Sequence, residues 1–214
     1  MTTVKICGIK DVATLQLLKR CGVDYVGFVF APSKRQVSGT EAGAMLRAVP
    51  ERPRAVGVFV NPSLEELDEV MAHAPLDVIQ LHGQETPGIC ALVRERYGVE
   101  VWKALTVGGD FAQLTNIADY FPHVSAFLFD THDPKQAGGT GKRFAWSEIP
   151  KLREYTGDVP FFVAGGVNEE NISELLTNYQ PYAVDISSGV ETDGVKDHAK
   201  IKHFVERVRV FDTQ

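Results

Sequence analysis

The chain contains no apolar run close to the roughly 20 residues that a membrane-spanning helix needs. Its longest, Tyr25 to Ala31, is the size of a strand, so a soluble protein is expected. Cysteine is scarce: Cys7, Cys21 and Cys90 form an odd, widely spaced set without a CxxC pair. Such a set offers no zinc framework and fits a reducing, cytoplasmic setting. The histidines at 73, 82, 123, 132, 198 and 203 make no HExxH or paired-ligand motif, so no metal is expected. Dinucleotide and ATP signatures are missing too, because no GxGxxG follows the first strand and Gly138 to Lys142 lacks the P-loop spacing. Positive charge is in deficit, with 22 Lys and Arg against 28 Asp and Glu and a formal net charge of -6. This argues against a general affinity for nucleic acid or an anionic membrane, so any anion site must be local. Met1 to Lys5 carries neither a basic nor an apolar leader region, and no secretory or transit signal is expected there.

What the chain does have is the make-up of an ordinary globular domain: 214 residues, 44% hydrophobic, 23% charged and 9% aromatic. Short β-branched or aromatic runs recur at Val4–Gly8, Tyr25–Phe30, Arg54–Val60, Asp77–His82, Val101–Leu105, Ala126–Asp130, Pro160–Ala164 and Ala183–Ser187. Amphipathic segments lie between them. Ser63 with Glu66 makes a capping box ahead of Leu64, Leu67, Val70 and Met71; Asn168 caps a helix burying Ile172, Leu175 and Leu176; Ile201, Phe204, Val205 and Val208 form a closing stripe. Eight alternating units in one short chain predict parallel strands closed into a (β/α)8 barrel, a single domain over residues 1–214. The irregular stretch Asp133 to Arg143 reads as a functional loop and not a linker. Once each helix has covered the barrel no broad apolar stripe is left over, which favours a monomer.

In such a barrel the reacting groups come from the C-terminal strand ends and the loops just beyond. Polar residues at those ends are Cys7, Lys34, Arg35, Asn61, Gln80, His82, Thr106, Asp130, Gly165, Gly166, Asp185, Ser187, Ser188 and Gly189. The two-residue period of a strand puts Lys5 with Cys7, and Gln80 with His82, on inward faces, opposite Ile6 and Leu81. A cysteine there can remove a proton from carbon if a cation such as Lys5 or Arg35 favours the thiolate; otherwise Cys7 is a small core residue. Asp130 ends the apolar run Ala126 to Phe129, and such surroundings favour a neutral carboxyl able to donate a proton; otherwise it is a loop cap or ion-pair partner. Asp185 is a second inward carboxylate, either in direct contact with substrate or paired with Lys5. His82 is a substrate contact or a capping imidazole. Cys21 and Cys90 fall in helical segments and read as packing.

Gly165-Gly166 after the seventh strand and Ser187-Ser188-Gly189 after the eighth expose bare backbone amides in adjacent loops, where barrel enzymes often hold phosphate. Lys34 and Arg35 could pair with a second acidic group on the ligand, or form a solvated basic loop.

Five fragments taken in order carry a resemblance that spans almost the whole chain. Val4-Lys5-Ile6-Cys7-Gly8-Ile9, Gly27 to Arg35, Gln80-Leu81-His82-Gly83, Phe129-Asp130 with Gly138-Gly139-Thr140-Gly141, and Ala164-Gly165-Gly166 with Asp185 to Glu191 resemble the phosphoribosylanthranilate isomerase family. The chain departs from the family pattern around Thr131 to Lys135 and at Ala145, where an aspartate is expected before the tryptophan. The resemblance implies an Amadori rearrangement without cofactor, in which N-(5-phosphoribosyl)anthranilate becomes 1-(2-carboxyphenylamino)-1-deoxyribulose 5-phosphate in tryptophan biosynthesis. It implies Asp130 as general acid, Cys7 as general base, Arg35 at the anthranilate carboxylate, and the Gly166, Ser188 and Gly189 amides at the phosphate. Two rivals use the same loops: another aldose-ketose isomerase of phosphorylated sugars, such as that of histidine biosynthesis, and a non-catalytic barrel that only binds a sugar phosphate. Cys7 in place of a strand-one aspartate speaks against the first, and the second has no need of both Cys7 and Asp130.

Overall fold

The computed structural model describes residues 1–107, 114–131 and 145–213. Eight parallel strands close into a barrel in sequence order: β1 (Thr3–Cys7), β2 (Tyr25–Val29), β3 (Arg54–Phe59), β4 (Val78–Leu81), β5 (Glu100–Val107), β6 (Ala126–Thr131), β7 (Phe161–Val163) and β8 (Ala183–Ile186), with β8 returning to pair with β1. Each falls within a residue or two of the run that predicts it. The helices around them are α1 (Val12–Arg20), α2 (Gly39–Ala48), α3 (Leu64–His73), α4 (Pro87–Tyr97), α5 (Ile149–Thr156), α6 (Ile172–Tyr179) and α7 (His198–Asp212). Between β5 and β6 the described residues hold a short 3-10 turn, Ile117–Tyr120, and no α-helix. The expected functional loop, Asp133 to Arg143, lies outside the described residues, as do Gly138 to Lys142.

Local chemistry explains the boundaries. Ser63 accepts from Glu66 N–H while the Glu66 carboxylate accepts from Ser63 N–H, the predicted capping box. Asn168 Oδ1 accepts from the amides of Glu170 and Asn171, and its carbonyl takes the Ile172 N–H. Asn168 therefore closes the turn that leads into α6, whose own N-cap is Asn171 and makes no side-chain cap bond, so the expected cap lies one turn too early. A feature absent from the strand-by-strand expectation follows β8: a two-stranded antiparallel hairpin, β9 (Glu191–Thr192) and β10 (Val195–Lys196). Its two-residue turn, Asp193-Gly194, has positive φ at both positions, the geometry that matches strand twist in tight hairpins.

Two apolar layers fix the barrel. The outer one lies between strands and helices, with Ile6, Leu81, Phe127 and Phe129 facing α-helical side chains such as Leu15, Val93 and Leu152. The inner one fills the lower axis with Val56, Val78, Trp102, Leu128 and Phe162, and the Trp102 and Phe162 rings lie 4.5 Å apart. Tyr25 meets Trp102 edge-on at 4.8 Å. This plug excludes water from below, so polar inward residues can be reached only from the strands' C-terminal ends. The chain ends are tied beneath it, where Thr2 N–H donates to Asp212 and Arg209 donates to the Thr2 carbonyl. Among the described residues no helix is long and apolar enough to cross a membrane.

Candidate active site

Alternation along β1 turns Lys5 and Cys7 into the barrel, as expected, and both are buried. Room for the sulfur comes from the next strand: Cys7 pairs with Gly27, where a Cβ would stand 2.6 Å from Cys7 Sγ. On the other side β8 brings in Asp185, whose Oδ1 lies 2.9 Å from Lys5 Nζ. The Lys5–Asp185 pairing weighed from the sequence is thus present. Burial works against the Lys5 charge, but Asp185 and Cys7 outweigh it and raise its pKa. Burial also pushes the Cys7 thiol above the ordinary thiol range; Lys5 pulls it down, Asp185 pushes it up and Lys196 pulls it down.

Across the axis, Gln80 sits on the inward face of β4 with His82 just past its end. The Gln80 amide Nε2 is 3.0 Å from His82 Nδ1, and His82 Nε2 is 3.4 Å from Asp130 Oδ2. With the amide so oriented, Gln80 donates to Nδ1, which leaves the neutral imidazole's proton on Nε2, facing Asp130. Gln80 Oε1 is buried without a hydrogen-bond partner among the described residues. Cys7, Arg35, Gln80, His82, Asp130 and Asp185 all line one cavity of about 230 Å³. A sulfur leaving the first strand and a carboxyl leaving the sixth therefore face a common space.

Arg35 is held more firmly than a solvated basic loop would be. Its Nε and Nη2 donate to Glu191 Oε1 and Oε2 at 2.7 and 2.9 Å, a two-pronged pair that leaves Nη1 uncommitted among the described residues. Lys196 Nζ donates to the same Glu191 at 2.8 Å and to the Ser187 carbonyl at 2.9 Å. Burial alone would raise the Glu191 pKa, but Arg35 and Lys196 overcome it and hold the carboxyl down at about 2. Sequence reasoning missed both hairpin residues. The Asp193-Gly194 dipeptide after Thr192 was the available signal, since it announces a turn that returns Val195 and Lys196 toward Glu191.

A second, smaller cavity of about 50 Å³ adjoins the first, sharing Asp130, Asp185 and Ser187 and adding Gly165, Gly166 and Ser188. Gly165 and Gly166 have φ of 74° and 70°, a left-handed pair that other residues adopt only with strain. Gly189 follows Ser188, and a Cβ there would stand 2.1 Å from the Val167 carbonyl oxygen, so a glycine is needed for the loops after β7 and β8 to pack this closely. Asn61 is drawn into loop architecture as well, its Oδ1 accepting from Gln84 N–H and its own N–H donating to Glu85. No group of three or more His, Cys, Asp or Glu among the described residues is placed to hold a metal ion.

The sequence profile of PRAI, N-(5'-phosphoribosyl)anthranilate (PRA) isomerase, matches residues 4–207. The chain belongs to this family. It is 59% identical over 212 residues to N-(5'-phosphoribosyl)anthranilate isomerase of Brevibacillus brevis, covering 99% of this chain and 96% of that one. The solved phosphoribosylanthranilate isomerase of Thermotoga maritima superposes with a TM-score of 0.85 at 34% identity, over 98% of this chain and all of the other. A phosphoribosylanthranilate isomerase solved with reduced 1-(o-carboxyphenylamino)-1-deoxyribulose 5-phosphate superposes with a TM-score of 0.82 at 33% identity, over 98% of this chain and all of that one. As a member of the PRAI family the chain is an isomerase.

Proposed function

We propose that this chain converts N-(5'-phosphoribosyl)anthranilate into 1-(o-carboxyphenylamino)-1-deoxyribulose 5-phosphate, the isomerisation of tryptophan biosynthesis, with Asp130 as general acid and Cys7 as general base. Asp130 gives its proton to the furanose ring oxygen as the bond from that oxygen to C1 breaks, and C1 and nitrogen become a protonated Schiff base. Cys7, as thiolate, then takes the C2 proton, and the freed electron pair forms the enolamine. Its tautomerisation moves a proton from the enol oxygen to C1, giving the ketone, and proton exchange with solvent returns Cys7 to the thiolate and Asp130 to the acid. Acid and base act in sequence at neighbouring atoms, so the chemistry calls for no cofactor.

What carries this reading is the placement of Cys7 and Asp130 on one cavity that continues into the small recess of Gly165, Gly166, Ser187 and Ser188. Backbone amides of that recess receive the phosphate, and Arg35 Nη1 receives the anthranilate carboxylate. Gln80, His82 and Asp185 contact the ribose and the anilino nitrogen bonded to its C1. Pinning both charged ends holds the sugar between acid and base, and positioning of this kind lowers a barrier by several kcal/mol. The three free thiols suit the cytoplasm. The exposed large apolar side chains are dispersed over the N-terminus, the loop after β3, α3, α4, the turn before β8, the β9–β10 hairpin and α7, which supports a monomer; a dimer in sedimentation at micromolar concentration would remove that part.

The decisive experiment supplies phosphoribosylanthranilate to the purified chain without metal or nucleotide and follows its conversion. Cys7→Ala and Asp130→Asn should each lower kcat about a hundredfold or more while the far-UV spectrum is kept, as expected for loss of a general base or acid. Near wild-type kcat in either variant would strip that residue of its role.

A further inference from the structure

Two ammonium groups are near enough to act on the Cys7 thiol, and they differ in what they have left to give. Lys196 Nζ donates to the Ser187 carbonyl at 2.9 Å, to Ser187 Oγ at 3.3 Å and to Glu191 Oε1 at 2.8 Å. An ammonium carries three N–H donors, so Lys196 is saturated. Lys5 has no such cage. It is 0% exposed, two residues before Cys7 on the same inward face, and its Nζ meets the Asp185 carboxylate as an ion pair. Beyond Asp185, the group within reach of the Lys5 N–H donors is the Cys7 sulfur. A buried ammonium with donors to spare is costly unless some partner uses them. Besides Asp185, the group whose charge Lys5 senses is Cys7.

We propose that Lys5 is a positioning residue for proton abstraction: its ammonium pairs with the Cys7 thiolate, while Asp185 keeps Lys5 charged and aimed. This deepens the reading of Cys7 as the base and rests on it. In the step served, the C2–H bond breaks and an S–H bond forms. The C2–H electron pair becomes the C1–C2 double bond, and the C=N electrons settle on nitrogen. Lys5 transfers no proton; it begins the step facing a thiolate and ends it facing a thiol. The charged groups facing Cys7 are Lys5 on its own strand, Asp185 on β8, Lys196 on β10 and Arg35 in the loop after β2. Of these Lys5 is the cation with uncommitted donors on the barrel axis.

The test is the pH dependence of Cys7 alkylation by iodoacetamide in the substrate-free full chain. Mass spectrometry of the Cys7 peptide keeps Cys21 and Cys90 out of the signal. Lys5→Met should raise the midpoint by about one pH unit or more, a roughly tenfold lower rate on the acid side. Lys196→Met should raise it less. An unchanged midpoint in Lys5→Met, or a larger rise in Lys196→Met, overturns the proposal. Should Lys5→Met not fold, Lys5→Gln, which also removes the charge, decides in its place, and a midpoint that stays or falls is fatal. The alkaline limb of kcat should move with the alkylation midpoint, which a merely structural lysine would not cause. If Cys7→Ala keeps its turnover, the base assignment fails, yet the alkylation series still reports whether Lys5 governs the thiol.

Discussion

Lys5 and Lys103 are both fully buried lysines on barrel strands, and they are treated in opposite ways. Lys103 lies on the outward face of β5, opposite the inward Trp102 and Ala104. Its Nζ donates to the carbonyls of Leu81, Gly83 and Ala104 and to Glu85 Oε2, at 2.8 to 3.2 Å. Glu85 in turn accepts from the amides of Asn61 and Gly83. Every donor is consumed, and the result is a knot joining the loops after β3 and β4. Lys5, on the axis, has one carboxylate beside it and no hydrogen-bonded cage. Burial lowers the pKa of Lys103 against the pull of Glu85, whereas that of Lys5 is raised. The contrast teaches that burial alone does not separate a scaffold charge from a working one; the number of unspent donors does.

The largest effect should come from breaking the knot. Lys103→Met leaves the buried Glu85 carboxylate with its two amide donors but without its countercharge, and removal of one partner of a buried pair costs about 3–5 kcal/mol. Urea unfolding should show that loss, with kcat per folded molecule falling far less than in Lys5→Met. A midpoint indistinguishable from wild type would mean that saturation is no mark of a structural charge.

Part of this contrast was legible in the sequence and part was not. The period-two alternation of Val4 to Cys7 places Lys5 and Cys7 inward together, and the apolar run before Asp130 places a carboxyl at a strand end. Both follow from spacing within one element. The order of eight strands was legible for the same reason, each run being bounded by its own turn residues. Lys103 gives no such signal, because its partners come from a neighbouring strand and from a loop up to 22 residues away, and only barrel closure brings them together. Glu191 and Lys196 fall between these cases: their hairpin is announced by Asp193-Gly194, but their pairing with Arg35, 156 residues from Glu191, is a product of the fold. Gly189 adds a demand that spacing does not announce: whatever its amide binds, the approach of the Val167 carbonyl leaves no room for a Cβ there.

A smaller effect should arise where the axis is tight. Gly27→Ala would put a Cβ 2.6 Å from Cys7 Sγ and 3.1 Å from Cys7 Cα. The strand backbone cannot yield without disturbing the β1–β2 ladder, so the sulfur must turn away. Overpacking of this kind costs about 1–3 kcal/mol. On the axis, however, the damage should be read mainly in chemistry: kcat should fall about tenfold or more, and the pH midpoint of Cys7 alkylation should move. Loss of stability with unchanged kcat would show that the position of the sulfur relative to Lys5 is unimportant, and the contrast between the two lysines would lose its functional half.

Lys196 supplies the finest test, because it borders the site and yet is saturated, so location and saturation make different forecasts for it. If saturation decides, the Arg35–Glu191–Lys196 cluster is chiefly scaffold, and its signature is acid sensitivity. A carboxyl held at about 2 in the folded chain and near 4.3 when unfolded stabilises the fold fully above the unfolded value, and that contribution fades as pH falls toward about 2. Glu191→Gln lacks this contribution at every pH. Urea midpoints of wild type and Glu191→Gln should therefore differ most above about pH 5 and converge as pH falls toward about 2. A difference that holds constant across that window would mean that the Glu191 charge is not stabilising the fold, and the cluster would belong with Lys5 among the working charges.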